Sequence, residues 1–311
     1  MIPLSDPSVK FIGLDSHLTD HPHYFVYWLL TNKCTYQCSY CPEFFHAGTF
    51  DYHPYDVVIK TMHKFPDPTS VFFGGGEPTN HPDFERIIED TPDHITLGML
   101  SNGARPLQFW EKISKSFNTI ILSFHIEHAK VDRFLKTAEH VYLNAKCAGR
   151  INFPMHPKYW NESVEIYQSM IELGLPVTAK PIVTDFGSND ETSIIPEYTS
   201  EQLSWISVAN QKVSSLDKGI GVYDENKKLL FRTNASELIS SHQTNFNGWE
   251  CHVPVISREI RADGLVLTMG CQQKKVVGNI FDQFEIRSNP EICRQKMCWC
   301  HADIQGLKKK I

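Results

Sequence analysis

The chain has 311 residues, enough for one large α/β domain and a smaller one beside it. Its 30 Lys and Arg against 36 Asp and Glu give a net charge of -6, which argues against a general nucleic-acid surface. We find no signal peptide and no apolar run of the ~18 residues that a membrane span needs, so we expect a soluble, cytoplasmic protein that makes no membrane contact. The KKK run at 308–310 is interpreted as a solvated tail.

Apolar runs alternate with amphipathic segments from residue 24 to about residue 214. We predict strands at 24–30, 70–73, 95–100, 119–124, 151–155 and 177–183. We predict helices at 55–65, 83–90, 107–114, 131–147, 159–173 and 199–214, the last one opened by a capping box of Thr199 and Gln202. Six strand–helix units in strict alternation predict parallel strands with right-handed crossovers. Periodicity does not decide between an open sheet and a partly closed barrel.

After residue 218 the pattern changes to hairpin-like strands and cysteine-rich loops. We therefore divide the chain into an N-terminal segment (1–23), an α/β core domain (24–218) and a small cysteine-rich α+β extension (219–311). Asp263 and Gly264 fit a hairpin turn that would bring Cys251 and Cys271 together. The chain has nine cysteines, which in a reducing compartment predict metal ligands or catalytic groups rather than disulfides. Cys147 stands apart from the others and is expected to be a small core residue.

Three cysteines follow the first predicted strand of the core domain, in the sequence CTYQCSYC. Cys34, Cys38 and Cys41 form a C-x3-C-x2-C array, and GGGEPT at 74–79 follows the next strand. Loops that follow consecutive parallel strands lie at the same end of a sheet, so the two should face each other. The array fits either a zinc ion with His46 as fourth ligand or an iron–sulfur cluster with one iron left open.

These two motifs together resemble the radical S-adenosylmethionine (radical SAM) enzymes. That family has an aromatic residue before the last cysteine of the array, here Tyr40, and a GGEP-type loop, here Gly75, Gly76, Glu77 and Pro78. The resemblance implies a partial (β/α)6 TIM-like barrel in which the three cysteines hold a [4Fe–4S] cluster, and the fourth iron binds SAM. It also implies an electron donor such as flavodoxin or ferredoxin, and a 5′-deoxyadenosyl radical that takes a hydrogen atom from the substrate. Glu77 suits the SAM ammonium group. The second motif favours this interpretation over zinc.

By position in the fold, the resemblance implies further SAM contacts at Asn102, Ser123 and His125. Family members often carry an S-x-D pattern where this chain has SFHIEH. His125 is therefore interpreted either as a cofactor ligand or as a hydrogen-bonded histidine at the barrel mouth. Glu127 and His128 are interpreted as the start of a solvated loop. No catalytic acid or base is assigned.

The C-terminal region from 249 to 300 resembles the SPASM/twitch extension of some radical SAM enzymes. The resemblance rests on a cysteine, a strand with DG, a second cysteine, the GN-I pattern at 278–280 and the closing CRQKMCWC. Its five cysteines imply one auxiliary [4Fe–4S] cluster, with a zinc site as the alternative. We prefer Cys251, Cys271, Cys298 and Cys300 as the ligands, with Cys293 as a substitute for either of the last two.

The predicted function is that of a radical SAM oxidoreductase or maturase with a small-molecule or peptide substrate. A second cluster fits an oxidation, either dehydrogenation or bond formation. Epimerisation of a peptide or sugar, with a thiol returning hydrogen, is an alternative, and a non-catalytic zinc-binding module is an alternative of another class. Only about 23 residues precede the first strand of the core, which leans towards a small molecule or a peptide held by the barrel itself.

Overall fold

The computed structural model describes residues 3–145, 147–184, 193–211, 219–268, 270–271, 273–298 and 300–311. The strands are β1 Phe11–Leu14, β2 Tyr24–Thr31, β3 Thr69–Gly75, β4 Ile95–Ser101, β5 Thr119–Ser123, β6 Ala148–Pro154, β7 Val177–Lys180, β8 Ile220–Tyr223, β9 Leu229–Thr233, β10 Glu250–Cys251, β11 Ser257–Ile260, β12 Leu265–Leu267, β13 Val276–Asn279, β14 Glu291–Ile292 and β15 Lys308–Lys309. The helices are α1 Tyr55–Met62, α2 Phe84–Glu89, α3 Leu107–Ile113, α4 Val131–Glu139, α5 Trp160–Glu172, α6 Ser200–Gln211, α7 Ala235–Ser240, α8 Val253–Ile256 and α9 His301–Gln305.

The alternating core has the predicted parallel sheet, in the order β2-β3-β4-β5-β6-β7. All six predicted strands and the six helices between and after them are confirmed, so the α/β fold class is confirmed. The predicted helix at 131–147 ends as an α-helix at Glu139 and continues as a π-helix over His140–Asn144. Among the described strands β7 has one neighbour, so the sheet is open there and does not close into a full barrel.

The capping box that opens α6 is confirmed. The backbone N–H of Thr199 donates to the Gln202 side chain at 3.0 Å, and the backbone N–H of Gln202 donates to the Thr199 hydroxyl at 3.2 Å. The helix is described to Gln211. The predicted continuation at 212–214 and the domain boundary at 218 lie outside the described residues.

C-terminal strands extend this sheet at its β2 edge, and strands from both ends of the chain form a second sheet. On the far side of β2, β11 pairs with it in parallel, and β12 and β13 follow in antiparallel order. A second sheet has the order β14-β10-β15-β1-β8-β9, so the N-terminal segment pairs with C-terminal strands. The interpretation of 308–310 as a solvated tail is wrong for Lys308, which is 2% exposed within β15.

Alternation along β2 separates the core from a cavity. Val26 and Trp28 are buried in the apolar core shared with the helices, whereas Tyr27 lines a cavity of about 610 Å³. Phe72 of β3 lines the same cavity, and α9 contributes Asp303 from the C-terminal region. The cavity therefore lies between the core sheet and the cysteine-rich region. No helix among the described residues is long and apolar enough to cross a lipid bilayer.

Candidate metal and cofactor site

The cysteine loop and the glycine-rich loop are joined by backbone hydrogen bonds. The N–H of Gly76 donates to the carbonyl oxygen of Thr31 at 2.9 Å, and the N–H of Glu77 donates to that of Lys33 at 2.9 Å. A Cβ atom on Gly76 would lie 2.4 Å from the Lys33 oxygen, and one on Gly75 would lie 2.2 Å from the Thr31 oxygen. The predicted approach of the two loops is confirmed, and the glycines are needed for that approach itself.

The three cysteines of the array lie on the cysteine loop, which these hydrogen bonds hold against the glycine-rich loop. Cys38 is buried, and Cys34 and Cys41 are half-buried. The Cys34 sulfur accepts a hydrogen bond from the backbone N–H of Tyr36 at 3.3 Å, and the Asn102 amide lies 3.7 Å from it. Burial raises the pKa of Cys38 to about 12 and that of Cys41 to about 11. The thiols are thus protonated at neutral pH, and a bound metal has to displace their protons.

The spread of the sulfur atoms does not fit a ready-made site for one zinc ion. Two sulfurs bound to the same zinc at about 2.3 Å each lie at most about 4.6 Å apart. Within the described part of the chain, the set of three ligating atoms that all lie within 4.8 Å of one another is that of Cys38, Glu127 and His128, and the three cysteines form no such set. The His46 ring is instead 3.0 Å from the Cys41 carbonyl oxygen. A group larger than one ion fits the three thiols better.

Glu77 is buried, and its carboxylate has four hydrogen bonds from the chain. Oε1 accepts from the backbone N–H and the hydroxyl of Thr79, at 3.2 and 2.6 Å, and from the Ser101 hydroxyl at 2.8 Å. Oε2 accepts from the backbone N–H of Asn102 at 2.7 Å. Burial raises the pKa of Glu77, and these donors oppose the rise. Glu77 thereby ties the glycine-rich loop to the end of β4, and the role of its carboxylate towards an ammonium group stays a prediction.

The other candidate cofactor residues lie at the same edge of the sheet. The Asn102 side chain also donates to the Thr35 hydroxyl at 3.2 Å, so it faces the cysteine loop. Ser123, at the end of β5, is 8% exposed. The Tyr40 hydroxyl lies 2.7 Å from Nδ1 of His125, and the two rings stack with centroids 6.0 Å apart. Burial lowers the pKa of His125 to about 4, so it is neutral at neutral pH.

Glu127 holds the cysteine loop, a role that sequence patterns did not indicate. Its carboxylate accepts from the backbone N–H of Ser39 at 2.8 Å and from the Ser39 hydroxyl at 2.7 Å, and Nε2 of His156 lies 3.7 Å from Oε1. The side chain is 14% exposed, so its interpretation as part of a solvated loop is wrong. His128 is exposed as expected, but its ring stacks on Tyr36 at 5.3 Å.

The five C-terminal cysteines also come together. The turn with Asp263 and Gly264 joins β11 to β12, as predicted, and Gly264 has a φ of +82°. Cys251, Cys271 and Cys293 share apolar contacts, and Cys293 also packs against the cluster that contains Cys298. The charge of either Cys251 or Cys271 would raise the pKa of Cys298, so these groups are neighbours.

Cys300 lies in the wall of the cavity, and the charge of Cys298 would raise its pKa, so these two cysteines are neighbours. The Cys300 sulfur is 3.3 Å from the point where a Cβ of Gly270 would lie, and carboxylate oxygens of Glu259 and Asp303 are each 3.6 Å from that point. Asp303 is 6% exposed, and its Oδ2 has no hydrogen-bond partner among the described residues. Burial raises the pKa of all three of these groups. A thiol and two carboxylates thus converge at the cavity.

The grouping of the thiols fits the iron–sulfur clusters that the motifs imply. Three sulfurs lie between two backbone-joined loops, and amide groups point at one of them. In the C-terminal region Cys251 and Cys298 are buried, and the half-buried Cys271 and Cys293 pack against the same apolar clusters. Thiolate ligands suit iron–sulfur clusters.

The core domain of the chain matches a family of known proteins. Residues 28–193, slightly more than half of the chain, match the family model described as the Radical SAM superfamily. A curated relative from Pyrococcus furiosus, a tungsten-containing aldehyde ferredoxin oxidoreductase cofactor-modifying protein, is 30% identical over 84 residues. That alignment covers 25% of this chain, which spans only 24% of the relative.

Solved structures share the fold over most of the chain. His-tagged anSMEcpe with bound AdoMet superposes with a TM-score of 0.56 at 15% identity, covering 85% of this chain and 79% of that one. Streptococcus suis SuiB bound to its precursor peptide SuiA gives a TM-score of 0.56 at 16% identity, covering 85% and 63%. At these identities the likeness concerns the fold alone.

Proposed function

The chain belongs to the radical SAM superfamily, and from this premise we propose that Cys34, Cys38 and Cys41 hold a [4Fe–4S] cluster beside a SAM site formed by the glycine-rich loop. The protein is an enzyme, as predicted, and the alternative of a non-catalytic zinc-binding module is wrong. When bound, the cluster and SAM supply a 5′-deoxyadenosyl radical that takes a hydrogen atom from the substrate. The observation that supports the proposal is the pair of backbone hydrogen bonds between the cysteine loop and the loop at 74–79.

The residues of the chain supply binding, orientation and exclusion of water. Glu77 fixes the glycine-rich loop to β4, and Glu127 fixes the cysteine loop to the segment after β5. Asn102 directs its amide at Cys34, where it would donate to a ligated sulfur. The cavity, whose wall includes Tyr27, is large enough to shield part of a substrate from water.

A second [4Fe–4S] cluster is proposed in the C-terminal region. The neighbours Cys251, Cys271, Cys293 and Cys298 are the proposed ligands, so that Cys293 replaces Cys300 in the ligand set preferred from the sequence. Such a cluster supplies an acceptor for one electron, and removal of a hydrogen atom, an electron and a proton from the substrate amounts to a two-electron oxidation. The packing of Cys271 and Cys293 against the apolar clusters that contain Cys251 and Cys298 supports the set.

The proposed substrate is a peptide or a small molecule that enters the cavity. Structural neighbours were solved with peptides: SuiB with SuiA, and anSMEcpe with a Cp18Cys peptide. The cavity wall joins apolar side chains, such as Phe72, with the carboxylates of Glu259 and Asp303. Dehydrogenation and bond formation are both compatible with this wall.

Cys300 favours a second candidate function, radical epimerisation. Its thiol lines the cavity, and we propose that it returns a hydrogen atom to a substrate carbon that has lost one. The C–H bond lost on one face would be replaced by a new C–H bond on the other, at the expense of the S–H bond. The sulfur radical would then take one electron from the external electron donor and one proton from solvent to restore the thiol.

The proposal is tested by anaerobic reconstitution of the full chain with iron and sulfide. We expect about eight irons per chain, since each of two [4Fe–4S] clusters has four, and 5′-deoxyadenosine formation from SAM after reduction. A variant with Cys34, Cys38 and Cys41 replaced by Ala should lose four irons and all SAM cleavage. Cys147→Ala is the control, because its thiol donates to the Ser114 carbonyl oxygen at 3.0 Å, within the core. Full 5′-deoxyadenosine formation by the triple variant would contradict the assignment.

The auxiliary cluster has its own test. Replacement of Cys251 and Cys271 by Ala should remove four irons but leave uncoupled SAM cleavage, because the two sites have separate ligands. Zinc in the C-terminal site, or unchanged iron in the double variant, would contradict the second cluster and leave the first untouched.

A further inference from the structure

Lys308 places a positive charge inside the C-terminal cysteine site. In the antiparallel pair of β10 and β15, Cys251 lies directly opposite Lys308. Directly opposite residues point to the same face of a sheet and are neighbours there. Lys308 is 2% exposed and Cys251 is 8% exposed, so both side chains are buried together.

The ammonium group of Lys308 donates its hydrogen bonds to backbone carbonyl oxygens. It donates to the backbone carbonyl oxygens of Asp303, Ile304 and Gly306, the last at 2.9 Å, and it lies 4.9 Å from the centre of the Phe246 ring. Among the described residues it forms no ion pair with a carboxylate. The Lys308 charge acts on the carboxylate of Asp303 and on the thiols of Cys251 and Cys298. A buried ammonium group that is hydrogen-bonded only to carbonyl groups is costly, and negative charge nearby offsets that cost. The position is therefore suited to a negative group that arrives with a cofactor.

We propose that Lys308 is the built-in counter-charge of the C-terminal cluster and raises its reduction potential. The proposal rests on the auxiliary cluster proposed above. A cluster held by thiolates is negatively charged, and each electron it accepts adds one more negative charge. A fixed ammonium group in a poorly polarisable interior stabilises the reduced form more than the oxidised form. In the proposed reaction the electron comes from the substrate radical, so a raised potential favours its transfer.

The chain supplies a matched control two residues away. Lys310 also donates to three backbone carbonyl oxygens, those of Leu4, Ser5 and Asp6, at 3.3, 3.1 and 3.0 Å. It lies 5.7 Å from the centre of an aromatic ring, that of Trp249. Its contacts hold the N-terminal segment rather than the end of α9. Lys308 and Lys310 thus share a bonding pattern but differ in what lies opposite them.

The experiment measures the midpoint potential of the C-terminal cluster alone. In the full-length chain Cys34, Cys38 and Cys41 are replaced by Ala, so that the N-terminal cluster is absent. The C-terminal cluster is then reduced stepwise with dithionite, and EPR measures the fraction that is reduced. Lys308→Gln keeps a donor for the carbonyl groups but removes the charge, and Lys308→Arg keeps the charge. We expect Lys308→Gln to lower the equilibrium constant for reduction of the C-terminal cluster at least tenfold. For one electron, a tenfold change lowers the midpoint potential by about 59 mV. The Arg variant and Lys310→Gln should stay near the parent value.

Each outcome decides between separate claims. An unchanged potential in Lys308→Gln, with four irons bound, would overturn the counter-charge proposal and leave the cluster proposal standing. An equal fall in Lys310→Gln would assign the effect to lost carbonyl contacts, and would overturn it too. If Lys308→Gln and Lys308→Met both lose the irons while Lys308→Arg retains them, the charge is needed for the cluster to bind at all, which supports the proposal. Absence of iron in the parent would instead contradict the auxiliary cluster.

Discussion

His53 donates a hydrogen bond from Nε2 to the carbonyl oxygen of Ala262 at 3.1 Å, which joins the segment after the cysteine loop to the C-terminal hairpin. The direction of the bond follows from the other side of the ring. The indole N–H of Trp28 donates to Nδ1 at 2.9 Å, so Nδ1 has no proton and Nε2 carries it. His53 is 1% exposed. One neutral imidazole thus links β2 to the turn between β11 and β12.

Replacing His53 should loosen this link. His53→Phe removes both hydrogen bonds and leaves the Trp28 N–H and the Ala262 carbonyl without their partner, at a cost of about 1–3 kcal/mol for each buried group left unpaired. We expect the free energy of unfolding, measured by urea titration of the anaerobic protein at pH 7.5, to fall by about 2 kcal/mol or more. His63→Phe, at an exposed position, is the control. Equal stability of the two variants would contradict the role of His53.

The same residue predicts how stability changes with pH. Burial lowers the pKa of His53 from 6.5 to about 4. Between these values the unfolded chain binds a proton that the folded chain does not, so stability falls as the pH falls from 6.5 towards 4. Unfolding titrations at pH 7.5 and 5.5 should show a smaller loss for His53→Gln than for the wild type. An equal loss in both would show that His53 does not contribute to the pH dependence.

Glu127→Gln should weaken the hold on the cysteine loop. The Ser39 N–H and hydroxyl donate to different oxygens of the Glu127 carboxylate, and glutamine replaces one of these oxygens with an NH2 group and removes the charge that strengthens both bonds. We expect iron release to a chelator to be about tenfold faster, equivalent to about 1.4 kcal/mol. Glu43→Gln, an exposed residue next to the same loop, should release iron at the wild-type rate. Release at the same rate in both variants would count against the anchor.

Glu77→Gln distinguishes two roles of a buried carboxylate. If Glu77 mainly holds the loops together, the NH2 group of the introduced glutamine would face the Asn102 N–H or the Ser101 hydroxyl. The free energy of unfolding should then fall by about 1–3 kcal/mol. If it mainly attracts the ammonium group of SAM, affinity for SAM should fall at nearly unchanged stability. We expect the first result, measured by urea titration and by equilibrium binding of SAM. Glu111→Gln, at an exposed position of α3, is the control.

Single substitutions of the last cysteines should separate the ligands from the cavity thiol. Cys293→Ala should lose the irons of the C-terminal cluster because its sulfur lies with Cys251 and Cys271. Cys300→Ala should keep them, since Cys300 faces the cavity. Iron analysis in the background without the N-terminal cluster is the measurement. The opposite pattern would restore the ligand set preferred from the sequence.

Local sequence was enough to predict the strands and helices of the core domain and the C-x3-C-x2-C motif. Alternating and helical periodicity located six strands and six helices, because burial of one face is a property of each segment by itself. The Thr199–Gln202 capping box and the DG turn were equally local. The two motifs after β2 and β3 could be combined because parallel strands bring successive loops to one edge.

Only the tertiary structure decided the partners of charged groups. Glu127 and Ser39 are 88 residues apart, and the sequence around SFHIEH carries no mark of that contact. Lys308 looked like one member of a basic tail, but the pairing of β15 with β10 buries it opposite Cys251. The place of Cys300 in the cavity wall likewise depends on contacts between distant parts of the chain, since residues of β2, β3 and β11 line the same cavity. A charged side chain is compatible with solvent or with a buried partner, and the choice depends on long-range contacts that no local pattern contains.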